Sequence, residues 1–310
     1  MGGGGGFFPT NIDSDTIKQE VQRSLDTTQE KEFDAQISGR MNELLKQYND
    51  RDETDLKRKL DLIKKLLNQD IENMLDVRFG GSISKNTYVD GLSDVDTLVL
   101  INNTELLDKT PEQVQNHFLN KLKNGLAGVK EVDKGNLAVT VKYNDKTEIQ
   151  LLPAVKLADG YKIASPDGKS WSKIDPQGFT KHLTKLNKDL NCKIVPAIKI
   201  IKAINTNFPS SRQLSGYHIE SLAIEVFKKY SGEKTIKSVI ETFFDKARST
   251  VLKQIKDKSK QSVHVDDYLG GNRSDKRKAV SHQLDITCRK IQSANKICSI
   301  NAWNEILGDL

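Results

Sequence analysis

The sequence predicts an α+β protein in which a mixed sheet with helices is joined to an all-helical lobe. Its periodic segments run in the order helices, strands, helices. Two β-rich runs, Ala138–Tyr143 and Thr147–Leu152, flank the hairpin-turn residues Asn144-Asp145-Lys146. From about residue 178 onward the apolar positions recur at helical spacing. A length of 310 residues favours two lobes over one. The expected divisions are a tail and lead-in over 1–32, a sheet-bearing lobe with its spine helices over 33–177, and a helical lobe over 178–310.

In chain order, Phe33, Ile37, Met41, Leu44 and Tyr48 step by three and four residues and predict an amphipathic helix over 33–50. Leu56, Leu60, Ile63, Leu67, Ile71 and Met74 do the same over 54–75, with Asp52 and Asp55 favouring the helix start. That helix runs into a strand at Val77–Phe79 and acts as a long spine behind it. A second strand is expected at Asp94–Ile101. Pro111 then opens a helix through Val114, Phe118 and Leu122 that gives way around Gly125 and Gly128. Pro153 is expected to end the second hairpin strand. The helical part holds Phe179, Leu183, Leu186 and Leu190, then Ile194–Ile204, Ile219–Tyr230, Ile236–Phe244 and Ser274–Ile297.

Composition narrows the class further. Hydrophobic residues make up 36% of the chain, and every apolar run is short and broken by lysine or aspartate, so neither a signal peptide nor a membrane span is expected. The expected compartment is the cytoplasm, with no membrane partner. Cys192, Cys288 and Cys298 form no even disulfide set and no zinc spacing, and read as reduced thiols. A net charge of +6 from 48 basic and 42 acidic residues is too small to require a nucleic-acid partner, though it allows a polyanionic substrate. Lysines crowd 181–202 and 228–260, where a solvated helix face accounts for part of the signal.

The segment that points to chemistry is Phe79-Gly80-Gly81-Ser82, followed after eleven residues by Asp94-Val95-Asp96-Thr97-Leu98-Val99-Leu100-Ile101. Residues two apart on a strand face the same side, so Asp94 and Asp96 would project together while Val95 turns to the core. Two carboxylates held that close repel unless a divalent cation lies between them. Gly80 and Gly81 let the backbone approach a ligand, and amides at a following helix start, with the Ser82 hydroxyl, could hold phosphate oxygens.

With the later run Leu151-Leu152-Pro153-Ala154, this pattern resembles the DNA polymerase β-like nucleotidyltransferase superfamily, and within it the cGAS/DncV-like branch that includes oligoadenylate synthetase. Supporting residues are Val195-Pro196-Ala197-Ile198-Lys199-Ile200-Ile201-Lys202 and Leu214-Ser215-Gly216-Tyr217-His218-Ile219-Glu220. The likeness spans roughly residues 55–300. It implies a polymerase β-like palm with a long N-terminal spine helix and a C-terminal helical lobe, the cleft between them holding the ligand. It also implies magnesium, or manganese in its place, bridged by Asp94 and Asp96, with Gly81 and Ser82 on the β/γ-phosphates. Lys199 stands where the family has a phosphate lysine, Tyr217 where a ring stacks on the donor base, and Ser215 where a lesser phosphate or base contact is made. The implied substrates are nucleoside triphosphates, ATP first among them. The implied product is a cyclic oligonucleotide that activates a separate effector in anti-phage signalling.

One position departs from the family. Where an acid usually stands two residues before the Leu-Pro pair, this chain has Gln150, which offers magnesium a neutral carbonyl and no charge. Glu148 shares that strand face and is one methylene longer than aspartate, so it is taken as the third metal ligand. A weaker nucleophile-side metal, or nucleotide binding without turnover, are the alternatives. Transfer of nucleotides to an RNA or protein acceptor is the rival activity. Lys199 could equally be a surface lysine and Tyr217 a core aromatic. Asp266–Arg273 reads as a turn capping the helix after it, with Arg273 or Arg277 reaching a nucleotide as the other reading.

Overall fold

The computed structural model describes residues 14–49, 53–69, 76–79, 87, 95–165, 167–257 and 264–308. Helices α1 (Ser14–Asn49) and α2 (Glu53–Leu67) precede strands β1 (Asp76–Phe79) and β2 (Val95–Leu100). Helix α3 (Pro111–Gly125) leads into β3 (Val129–Lys134), β4 (Val139–Tyr143), β5 (Glu148–Leu157), β6 (Gly160–Ala164) and β7 (Trp171–Ile174). Then come α4 (Pro176–Asp189), α5 (Ile194–Thr206), α6 (Gly216–Phe227), α7 (Ile236–Thr250), α8 (Asp275–Lys296) and α9 (Ile300–Leu307). The α+β class expected from the sequence is the class observed. Among the described residues, no helix is long and apolar enough to cross a membrane.

The sheet order is β1-β2-β5-β4-β3, with β6 paired to β5 and β7 to β6. Only the β2–β5 pair, among these, is parallel. One sheet face buries Val95, Val99, Val139, Val141, Ile149 and Leu151 against Leu56, Leu60 and Ile63 of α2 and Val114, Phe118 and Leu122 of α3. Helix α3 forms where expected because Thr110 and Gln113 close a capping box. The Thr110 hydroxyl accepts from the Gln113 amide at 3.3 Å, and the Gln113 side chain accepts from the Thr110 amide at 2.9 Å.

Three expectations are corrected. Pro153 does not end β5, which continues to Leu157. It falls between the last pair with β4, Val139↔Leu151, and the first with β6, Ala154↔Ile163, where the ladder changes partner and requires no donor. Strands β3, β6 and β7 extend the sheet beyond the hairpin read from sequence. The third correction concerns α1, which begins at Ser14 inside the expected lead-in and buries Phe33, Ile37, Met41, Leu44 and Tyr48 with the helices of residues 178–310, not with the sheet. An amphipathic stripe declares that a face is buried without declaring which core receives it.

Lys59 of α2 fastens the hairpin turn that starts β5. Its ammonium is buried, pairs with Asp55 at 2.7 Å and with Asp145, and donates to the Thr147 hydroxyl at 2.9 Å. The hydrogen bond from Lys59 is the main reason the Asp145 carboxyl is lowered from the ordinary 3.8 to about 2. A depressed carboxyl stabilises the fold above its unfolded value and loses that contribution as pH falls through the folded one. Asp145 is half exposed, so solvent screening leaves the pair worth about 1 kcal/mol or less. Thermal melts from the ordinary 3.8 down to about 2 should therefore lose more stability in the parent than in Lys59→Met. Parallel acid limbs would remove this pair from the account.

Candidate active site

The sheet face opposite α2 and α3 is the one that carries polar groups. Asp96, half-buried on β2, is in register with Gln150 on β5, which is in turn opposite Thr140 on β4. In-register partners share a sheet face, so a carboxylate, an amide and a hydroxyl stand in one row across three adjacent strands. Further along the same face, Leu98 and Leu152 pack with Leu100, Ala154, Ile163 and Ile174, which gives the polar row an apolar floor.

Glu148 precedes the Val95↔Ile149 pair by one residue and is opposite Lys142 on β4. Lys142 Nζ donates to Glu131 Oε2 at 3.0 Å, and that bond is the main cause holding the ammonium above its ordinary pKa, with the negative charge of Glu148 adding to it. Glu148 thus has a cation as its cross-strand neighbour, whereas Asp96 has a neutral amide.

Asp96, Glu148 and the Gln150 carbonyl are hard oxygen donors on one face, a set that suits magnesium or manganese. Asp94, Gly81 and Ser82 lie outside the described residues. Among the described residues, no group of three or more His, Cys, Asp or Glu side chains could hold a metal ion.

In the helical lobe, the three positions expected to meet nucleotide each have a partner within the chain. Lys199 Nζ donates to the Asn49 side chain at the end of α1. Ser215 is the N-cap of α6, its hydroxyl accepting from the His218 amide at 3.2 Å. Tyr217 is half-buried with its ring 4.8 Å from that of Phe179, and its hydroxyl donates to Asp257 Oδ1 at 2.7 Å.

The turn reading of Asp266–Arg273 matches the structure. A short 3₁₀ turn at Asp267–Leu269 leads to Ser274, whose hydroxyl caps α8 by accepting from the Arg277 amide at 3.3 Å. Arg277 is not available to a nucleotide. Its guanidinium is fully buried, pairs with Asp266 Oδ2 at 2.7 Å, and donates to the carbonyls of Val251, Lys253, Asp266, Gly270 and Gly271. Beside it, burial drives His218 down to about 4, so the imidazole is neutral at physiological pH. Its Nδ1 lies 2.8 Å from the Tyr268 hydroxyl. Of the three thiols, Cys192 is exposed, Cys298 half-buried and Cys288 buried; none is in a disulfide.

Sequence reading missed Lys202, Glu220 and Thr87, which form one buried cluster. Nζ of Lys202 lies 2.9 Å from Glu220 Oε1 and donates at 2.9 Å to the Thr87 carbonyl. The available signal was a single charge of opposite sign set inside each of two apolar runs, Ile200-Ile201-Lys202-Ala203-Ile204 and Ile219-Glu220-Ser221-Leu222.

Residues 35–187 match the family model of the Second Messenger Oligonucleotide or Dinucleotide Synthetase domain. A protein of Bacillus cereus (strain VD146) named a probable cyclic nucleotide synthase is 22% identical over 148 residues, which is 46% of this chain and 44% of that relative. The chain therefore spans less than half the length of the curated relative it matches. The structure of E. coli MS115-1 CdnC with ATP superposes with a TM-score of 0.62 at 14% identity, covering 83% of this chain and 92% of that one. The Vibrio cholerae DncV cyclic AMP-GMP synthase in complex with its linear intermediate gives 0.61 at 10% identity, covering 96% and 91%. At these identities the structural likeness shows the shared fold alone.

Proposed function

Residues 35–187 are a Second Messenger Oligonucleotide or Dinucleotide Synthetase domain, which sets the chain among the cGAS/DncV-like nucleotidyltransferases, and from that premise we propose that it condenses nucleoside triphosphates into a cyclic oligonucleotide with release of pyrophosphate. The observation that carries this reading is Asp96, a carboxylate on the polar face of β2, in register with Gln150. The structures of CdnC with ATP and of DncV with a linear intermediate support triphosphates as substrates, with ATP first.

Asp94, Asp96 and Glu148 would hold magnesium, or manganese in its place. Such an ion supplies charge neutralisation for the triphosphate and a lowered pKa for the attacking ribose hydroxyl. Gly81 and Ser82 are assigned to the β/γ-phosphates. Gln150 contributes a carbonyl acceptor and an amide donor, and so orients a neighbour without adding charge. Tyr217 offers a ring face to the donor base, and its bond to Asp257 fixes where the hydroxyl end of the ring sits. Lys199 and Ser215 would meet phosphate oxygens only by exchanging their partners, Asn49 and the His218 amide. We assign the reaction to the cytoplasm and the product to a separate effector in anti-phage defence, on the family likeness.

The test supplies all four triphosphates with magnesium and identifies products by mass. A phosphatase-resistant product made without added RNA or protein is expected. Label transferred only to an added acceptor would move the chain to the rival activity. Gln150 favours a second reading, a nucleotide-binding regulator, in which ATP raises the melting temperature while pyrophosphate release stays at background. Glu148→Gln should lower turnover by about 100-fold, the scale of losing one charge-stabilising group at a reaction centre. Gln150→Asp should retain activity, because it restores a carboxylate on the same face. Turnover surviving Glu148→Gln would remove Glu148 from the donor set.

A further inference from the structure

The buried residues of helices α5 and α6 are mostly apolar, yet each helix buries one charge among them. Lys202 and Glu220 are 7% and 1% exposed. A buried ion pair costs desolvation that its mutual attraction barely offsets, and apolar residues of like size would hold these helices together as well. The pair is therefore poorly explained by stability of the helical lobe. It is better explained by what it grips, Thr87, which is itself fully buried.

Thr87 is held at two points. Its carbonyl accepts from Lys202 Nζ at 2.9 Å, and its hydroxyl donates to Glu220 Oε1 at 2.5 Å. Fixing backbone and side chain together sets both the place and the rotation of the chain at that residue. At Gly216, the first residue of α6, an added Cβ would come within 3.3 Å of Lys202 Cε, so a small residue stands where the lysine passes. Along the sequence Thr87 follows Ser82 by five residues and precedes Asp94 by seven, in the connection between β1 and β2.

We propose that Lys202 and Glu220 are positioning residues, which from the helical lobe hold the palm connection carrying the phosphate turn and the first metal-binding acid. This rests on the function proposed above for Gly81, Ser82 and Asp94. The clamp then couples the helical lobe to the β1–β2 connection at Thr87.

Thr87→Val removes the hydroxyl donor and keeps the shape, leaving Glu220 paired with Lys202. Hydrogen exchange of peptides within 80–94, measured without nucleotide, should quicken by about tenfold, the scale of one charge-assisted hydrogen bond. KM for ATP should rise about tenfold with kcat reduced less, and Thr87→Ser should restore both. Glu220→Gln should shift exchange and KM in the same direction as Thr87→Val. Parental exchange in Thr87→Val would overturn the clamp. Faster exchange with parental KM would overturn the positioning role. A parent protein that makes no product counts against the proposed function alone, since the exchange measurement still decides whether the clamp exists.

Discussion

Asp96→Asn is expected to reduce product formation on the order of 1,000-fold while leaving the melting temperature close to the parent's. The substitution is nearly isosteric and changes one thing, the charge. Asp96 stands half-buried at the polar end of β2, beside a glutamine, so no carboxylate opposite it in the sheet can take over its part. The several kcal/mol that charge stabilisation supplies at a phosphoryl-transfer centre would be withdrawn, and each 1.36 kcal/mol is about tenfold in rate. The side chain carries none of the apolar packing on the helix-facing side, where Val95 and Val99 do that work. Pyrophosphate release and product mass read the activity, and a thermal melt reads the fold. Turnover within about tenfold of the parent would remove Asp96 from the reaction centre and with it the observation on which the proposed function rests.

Arg277→Met should lower the melting temperature by about 10 °C, with no substrate needed to see it. One guanidinium closes the segment from Val251 to Gly271 by bonding five of its carbonyls and the Asp266 carboxylate. Asp266 is also buried and otherwise accepts from the Ile255 amide at 3.1 Å. Taking away one partner of a buried pair costs about 3–5 kcal/mol, because the remaining charge stays out of water. Arg277→Lys should recover little, since an ammonium is a point donor and cannot reproduce the planar fork that reaches these oxygens. A melt within about 2 °C of the parent would show that the loop is closed by something other than this side chain.

Local patterns made much of the fold readable from sequence, and non-local ones hid the rest. The helix at Pro111–Gly125 was legible because its punctuation is written within a few residues, Pro111 at one end and Gly125 at the other. The strand at Val95–Leu100 was legible for a like reason, since a β-branched and apolar run, Thr97-Leu98-Val99-Leu100, follows Asp96 directly. Strand β5 was cut short in the reading because Pro153 is a breaker unless neighbouring strands exchange places beside it, which no single segment records. At the candidate site, parity along two strands put Asp96 and Gln150 on a polar face, but their adjacency needed the parallel register of β2 and β5. Thr87 was beyond reach for the same reason: its partners lie more than a hundred positions away, at Lys202 and Glu220.

Helix α1 has a consequence for how the protein is made. Its stripe from Phe33 to Tyr48 shares a core with Ile198, Phe243 and Trp303, which leave the ribosome long after it. The palm can close as soon as β7 is synthesised, since its core draws on α2, α3 and the strands. Helix α1 meanwhile waits with oily side chains uncovered, a state in which nascent segments recruit chaperones or one another. Slowing translation after residue 175 should therefore prolong that exposure and raise aggregation, whereas supplying the α4–α9 segment early should relieve it.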